Sequence, residues 1–302
     1  MRQVLTGTDK IKLFPLWLIT LLPLRILYIF SDFLYLLAYY LVRYRRKVVY
    51  ENLKNSFPEK SDQERKKIER KFYRYLAEYF IESLYILNMS TEELLRRFSL
   101  KNPEVMIEKY NSGKDIIVGL AHYGNWEWGT ILPYLVPHKF IAVYRPLSNK
   151  VFDRLFIQLR SKYGGHIVPI KSTLRSLVEA RKKGETFALY LLGDQRPIRE
   201  DLGFWTTFLG QETPVITGID RLSRKFDTQV YYLQVKRVRR GYYSVSYELI
   251  TDKPTEEKEM GVAEKFIRKV ESVIKEEPAY WFWSHKRWRY SPEEYKPGYK
   301  GS

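Results

Sequence analysis

The sequence contains no cysteine. That excludes disulfides, thiolate metal sites and a cysteine nucleophile together, and says nothing of compartment. Histidine is nearly as scarce: the four residues lie scattered and form no ligand spacing, so no metal is expected. No serine stands in a nucleophile-elbow pattern, so a covalent enzyme intermediate has no evident carrier. Internal repeats, low-complexity tracts and long linkers are absent. So are the aromatic RNP strands and zinc spacings of nucleic-acid modules, and no nucleic-acid partner is expected. Acidic residues are the last shortage: 35 Asp and Glu face 52 Lys and Arg, a formal charge of +17. Such a surplus implies a polyanionic partner, which leaves an anionic membrane surface, phosphorylated lipids or acidic proteins.

What is present supports a large core. The 302 residues are 45% hydrophobic and 16% aromatic, with 25 tyrosines, enough for one large α/β domain or two small ones. Between Leu13 and Val42 the only charges are Arg25 and Asp32. As one helix that stretch would be roughly 45 Å long, more than the roughly 30 Å hydrocarbon core requires. Pro23 is expected to break it, leaving Ile26 to Val42 as a short membrane span or an interfacial helix. A buried helical hairpin in a soluble core is the alternative. No small-residue cleavage site follows, which argues against a signal peptide. Arg43, Arg45, Arg46 and Lys47 outweigh Arg2, Lys10 and Lys12 on the other flank, favouring a cytoplasmic catalytic side. Residues 1–47 thus read as an anchor and residues 48–302 as an α/β domain.

Within that domain Ser61 with Glu64 forms a capping box ahead of an amphipathic helix, and Ser90 with Glu93 starts a shorter one. Both read as scaffold. Asp115 to Leu120 has the length and branching of a buried strand. Asn125 is a plausible N-cap, and Trp126 to Leu132 reads as the opening of a helix. His122 would then sit at a strand end and Glu127 in the first helical turn, with the bend at Gly124 letting the two converge. A histidine at the end of a parallel strand is a candidate general base. On these residues alone, a buried histidine satisfied by a carboxylate is an equal reading. Strands and helices then alternate: Lys139 to Tyr144, helix Asn149 to Lys162, strand His166 to Ile170, helix Ser172 to Lys183, strand Thr186 to Leu192. The last runs into Gly193-Asp194-Gln195, where Asp194 could accept the imidazole N–H or merely cap a turn. Thr228 to Val238 and Tyr242 to Ile250 alternate like a hairpin, and Thr255 to Glu277 reads as the last long helix.

His122-Tyr123-Gly124-Asn125-Trp126-Glu127 resembles the H-x4-E signature of the late acyltransferases of lipid A assembly, relatives of the glycerolipid acyltransferases. Other blocks follow in that family's order. They are Arg45 to Leu53, Arg160 ahead of Gly164-Gly165, Asp194-Gln195, Phe208-Leu209-Gly210 with Thr213-Pro214 at a helix start, and Trp283-x-His285-x-Arg287-Trp288. The resemblance implies a central mixed sheet flanked by helices behind an N-terminal membrane-anchoring segment. It implies transfer of an acyl chain from acyl carrier protein to a hydroxyl on a phosphorylated glycolipid, at the bacterial inner membrane and without a cofactor. It makes His122 the base, Asp194 its orienting carboxylate, Glu127 a positioning group, and Arg160 a binder of anions or of the developing oxyanion. His166 reads as a strand-edge residue and His285 as part of domain closure. Lys236, Arg237, Arg239 and Arg240 would either steer the acidic donor or be simply solvated. An acyltransferase acting on another lysophospholipid or glycolipid, and a non-catalytic lipid-binding protein, are the competing readings.

Overall fold

The structure, a computed structural model, describes residues 5–295, so Arg2 lies outside it. Helix α1 (Gly7–Ile19) opens with a capping box between Thr6 and Asp9. The chain breaks before Pro23, and α2 (Leu24–Leu36) runs on into a π-helical turn, Leu37–Leu41. Together these form an 18-residue, mainly apolar stretch of helix, Leu24–Leu41, long enough to cross a membrane, of which 28% is buried. The buried stripe is Leu24, Leu27, Ser31 and Tyr35, at helical spacing. The opposite face leaves Ile29 68% and Phe33 63% exposed. That exposed face excludes the fully buried hairpin. Asp9 binds Arg154 through both carboxylate oxygens, at 2.6 and 2.8 Å, which fastens α1 to the body.

Helices α3 (Arg46–Ser56), α4 (Asp62–Tyr85), α5 (Thr91–Arg97) and α6 (Pro103–Asn111) lead into the sheet, with the expected caps at Ser61 and Ser90. Seven strands form it: β1 (Phe98–Leu100), β2 (Ile116–Leu120), β3 (Lys139–Tyr144), β4 (His166–Pro169), β5 (Phe187–Leu192), β8 (Gln229–Arg239) and β9 (Tyr242–Thr251). Their order is β1-β9-β8-β2-β5-β3-β4, parallel throughout except for the β8–β9 hairpin. The short strands β6 (Trp205–Phe208) and β7 (Gln211–Pro214) make a separate hairpin, turned by Leu209 and Gly210 at positive φ. The remaining α-helices are α7 (Leu132–Leu135), α8 (Lys150–Arg160), α9 (Thr173–Lys182), α10 (Gly218–Phe226), α11 (Gly261–Glu276) and the single turn α12 (Pro292–Tyr295).

Strand β2 is buried on both faces, and its side chains alternate between two cores. Ile117 meets Ile219, Phe266 and Ile267 in the layer of α10 and α11, while Ile116 and Val118 join Met106, Trp128 and Leu155. At Gly119 an added Cβ would lie 2.5 Å from the Phe266 ring, so α11 can approach only over glycine.

Three sequence expectations are corrected. Residues Trp126–Ile131 form a 3-10 helix, and the Asn125 side chain does not cap it. Helix α11 begins at Gly261 rather than Thr255, because Asp220 of α10 accepts the N–H of Val262 at 2.9 Å and fixes the start. Thr213 and Pro214 end β7, and the following helix starts only at Gly218.

Candidate active site

Register delivers the central pair. Leu120 of β2 lies opposite Leu192 of β5. Two residues beyond each paired end stand His122 and Asp194, so both leave neighbouring parallel strands at the same height. His122 Nδ1 lies 2.7 Å from Asp194 Oδ1, and Trp281 Nε1 donates to Asp194 Oδ2 at 2.8 Å. With Nδ1 donating to the carboxylate, Nε2 of His122 is the acceptor. Asp194 is wholly buried, while the His122 side chain keeps 20% of its surface exposed. Burial pushes the Asp194 carboxyl up. The His122 imidazole and the hydrogen bonds from His122 and Trp281 outweigh that and hold it below the usual carboxylate range.

The loop carrying His122 is clamped from both sides. Gly124 turns it at φ +59, where an added Cβ would also meet Val235 at 2.9 Å. Tyr75 donates its hydroxyl to the Gly124 carbonyl at 2.6 Å, and the Gly124 N–H donates to the Tyr280 carbonyl. Asn125 is spent below: its amide donates to Glu82 at 2.9 Å, and Tyr28 and Tyr243 donate to the same buried carboxylate. Helix α4, read as plain scaffold, therefore supplies Tyr75 and Glu82 to this loop.

Glu127 does not hydrogen-bond His122. It takes Arg160 side-on, at 2.9 Å from Nε and 2.5 Å from Nη2, with the Tyr79 hydroxyl at 3.4 Å. Burial raises the Glu127 carboxyl, but Arg160 outweighs it and the net direction is down. Arg160 holds its proton more tightly than a free arginine because Glu127 outweighs its own desolvation. Between the two pairs lie Trp126, stacked on Tyr79 at 4.4 Å and edge-on to His122 at 4.9 Å, and Phe282. The arrangement offers an imidazole Nε2 turned away from the carboxylate, an anion that keeps the ring oriented, and a fixed cation nearby.

The carboxy-terminal segment straps this site down. Asn52 of α3 donates to the Trp283 and His285 carbonyls, and Arg45 to that of Ser284. Burial pulls the His285 imidazole down to about 4, and its Nε2 finds no partner among the described residues. His166 sits on the edge strand β4, away from His122. Among the described residues no group of three or more His, Asp or Glu is placed to hold a metal ion.

Sequence reasoning missed three participants: Trp281, Tyr79 and Arg287. Trp281 stands just ahead of the Trp283-x-His285-x-Arg287-Trp288 block, but no spacing rule links position 281 to position 194. Arg287 is wholly buried, with its guanidinium 5.7 Å from the Phe208 ring centre, and its Nε, Nη1 and Nη2 find no hydrogen-bond partner among the described residues. Burial pulls it down to about 9, against the pull of Asp194. An ion buried this way costs several kcal/mol, and the cost is fully present below that value. Arg287→Met, of similar length and apolar, is expected to raise the thermal midpoint at neutral pH. The gain should shrink as pH climbs above about 9 and wild-type Arg287 sheds its proton. A midpoint unchanged or lowered at pH 7 would show that the guanidinium is paired.

A family model described as bacterial lipid A biosynthesis acyltransferase matches residues 2–290. The chain is 25% identical over 283 residues to the lipid A biosynthesis palmitoleoyltransferase of Escherichia coli (strain K12), covering 92% of this chain and 89% of that one. It is equally similar, at 25% over 281 residues, to the lipid A biosynthesis lauroyltransferase of the same organism, covering 92% and 90%. A lipid A biosynthesis acyltransferase of Haemophilus influenzae shares 25% over 255 residues, covering 84% and 80%.

Proposed function

Because the chain belongs to the bacterial lipid A biosynthesis acyltransferase family and is an O-acyltransferase, we propose that it moves a fatty acyl chain from acyl carrier protein to a hydroxyl of a lipid A precursor. The acceptor hydroxyl is that of a 3-hydroxyacyl chain on the phosphorylated disaccharide. The observation that carries the reading is the 2.7 Å contact between His122 Nδ1 and buried Asp194. It leaves His122 Nε2 free to take the hydroxyl proton. As the proton moves, the acceptor oxygen attacks the thioester carbonyl. The carbon–sulfur bond then breaks, and the carrier thiolate regains the proton. Arg160, held by Glu127, offsets negative charge on the carbonyl oxygen or binds an anionic group of the acceptor. A thioester is already activated, so the scheme needs no cofactor. The exposed apolar face of α1 and α2 holds the enzyme at the inner membrane, with the site toward the cytoplasm.

The test is purified full chain in detergent with acyl carrier thioesters, acyl-CoA and a panel of acceptors, read by mass spectrometry. Acylation of a lipid A precursor from the carrier thioester is expected. Acylation of simple lysophospholipids alone would overturn the acceptor, and transfer from CoA alone the donor. Direct transfer also predicts that labelled acyl thioester, without acceptor, leaves no label on denatured protein. A stoichiometric acyl-enzyme would refute direct attack.

A further inference from the structure

A cleft of about 340 Å³ opens between α4 and the β8–β9 turn, on the far side of Tyr75 and Tyr280 from the His122 loop. Its walls are strongly basic. Glu78 is the only carboxylate in the lining, and it is already shared by Arg237 at 2.6 Å and Arg240 at 2.7 Å. Lys71 reaches Glu277 at 3.0 Å, and Arg240 also reaches Asp32 at 2.6 Å. Arg74 and Arg239 have no carboxylate partner among the described residues. Arg74 rests over the Tyr35 ring at 5.3 Å and Arg239 over the Tyr242 ring at 4.0 Å, both exposed. The cations at this turn are therefore neither loose nor fully neutralised. Three are committed and two keep their donors.

The position of the cleft says what those donors meet. Tyr35 lies on α2, Arg240 covers Tyr28 of α2, and α2 carries the exposed apolar face of Ile29 and Phe33. With that face in hydrocarbon, the cleft stands at the level of the head groups. Val238, 66% exposed at the bulge near the end of β8, adds an apolar contact on the same side. Paired guanidinium forks match the oxygens of a phosphate, and the buried Glu78 already occupies the place a carboxylate ligand would take.

We propose that this cleft binds the phosphate of an anionic membrane lipid head group, at a site separate from acyl transfer. An acidic carrier protein is the disfavoured occupant, because the mouth opens beside the membrane helix rather than away from it. The site fixes the depth and tilt of the catalytic body on the bilayer. It binds whether or not the acyl-transfer reading holds.

The experiment uses the full chain in nonionic detergent, titrated with dihexanoyl phosphatidic acid, dihexanoyl phosphatidylcholine, inorganic phosphate and an acyl carrier protein. Saturable binding of phosphatidic acid is expected, with inorganic phosphate weaker and phosphatidylcholine unbound. Each basic residue near an anionic surface contributes about fivefold, so Arg74→Gln/Arg239→Gln should weaken phosphatidic acid about 30-fold. The control pair Lys182→Gln/Lys183→Gln, exposed at the end of α9, removes the same charge and should change little. Thermal midpoints verify that both variants fold. Equal losses in the two pairs would mean diffuse attraction and overturn the site, as would no loss in the first pair. Inorganic phosphate binding as tightly as phosphatidic acid would overturn the lipid assignment. Carrier protein binding lost in the first pair, without phosphatidic acid binding, would give the cleft to a protein partner.

Discussion

Replacing His122 with alanine is expected to lower acyl transfer by at least about two orders of magnitude, the scale of a lost general base. The variant should remain folded but lose some stability, because buried Asp194 loses the imidazole that its Oδ1 faces, while the Trp281 N–H stays on Oδ2. Asp194→Asn should be comparably inactive for a different reason. Trp281 Nε1 donates and demands an acceptor, so the new amide oxygen must face Trp281 and the amide nitrogen must face His122. Nδ1 would then become the acceptor and Nε2 would carry the proton, the wrong tautomer for a base. Initial rates with saturating donor and acceptor, alongside thermal midpoints, separate chemistry from folding. Near-normal turnover in a folded His122→Ala protein would end the proposal.

The second large effect lies at Glu127. Its alanine variant strands the Arg160 cation in a mostly buried position. Breaking a buried pair typically costs about 3–5 kcal/mol. Arg160 retains 29% side-chain exposure, so the cost here should fall at about 3 kcal/mol or somewhat less. Removing both charges, as Glu127→Ala/Arg160→Met, should recover most of that stability. Activity should not recover. One oxyanion donor is worth about 10²- to 10³-fold in rate, and the double variant lacks it. Denaturant midpoints and rates on the same samples check this. A double variant as unstable as the single would show that the loss is packing rather than an unpaired charge. A fully active double variant would remove both residues from the reaction.

The comparison of these two residues also shows what distance along the chain conceals. Read as a six-residue motif, His122 and Glu127 look like partners, because the Gly124 turn allows them to converge. In the fold they face different carboxylate and guanidinium partners, with Trp126 and Tyr79 between. The nearest functional neighbour of His122 is 72 positions away, and that of Glu127 is 33 away.

The sequence by itself determined the elements whose cause is local. Period-two and period-3.6 burial, the Ser61 and Ser90 caps, Asn149 ahead of α8, and the Pro23 break all act within a few residues, and each appears where its chemistry puts it. It also determined which residue types stand at strand ends, since an apolar run closing on His122 or Asp194 is visible without a fold. Tertiary structure alone decided pairings and exact starts. The β2–β5 register brings Leu120 beside Leu192 and hence His122 beside Asp194, and no local rule specifies register between strands separated by three α-helices and two other strands. Asp220 fixes where α11 begins because it reaches that helix from α10. Trp281 reaches Asp194, and Glu78 takes up Arg237 and Arg240, only once the carboxy-terminal strap and the β8–β9 hairpin have packed against the body. Each of these is a long-range contact whose partner is chosen by the geometry of the whole sheet, so its energy leaves no trace in the spacing of the residues that make it.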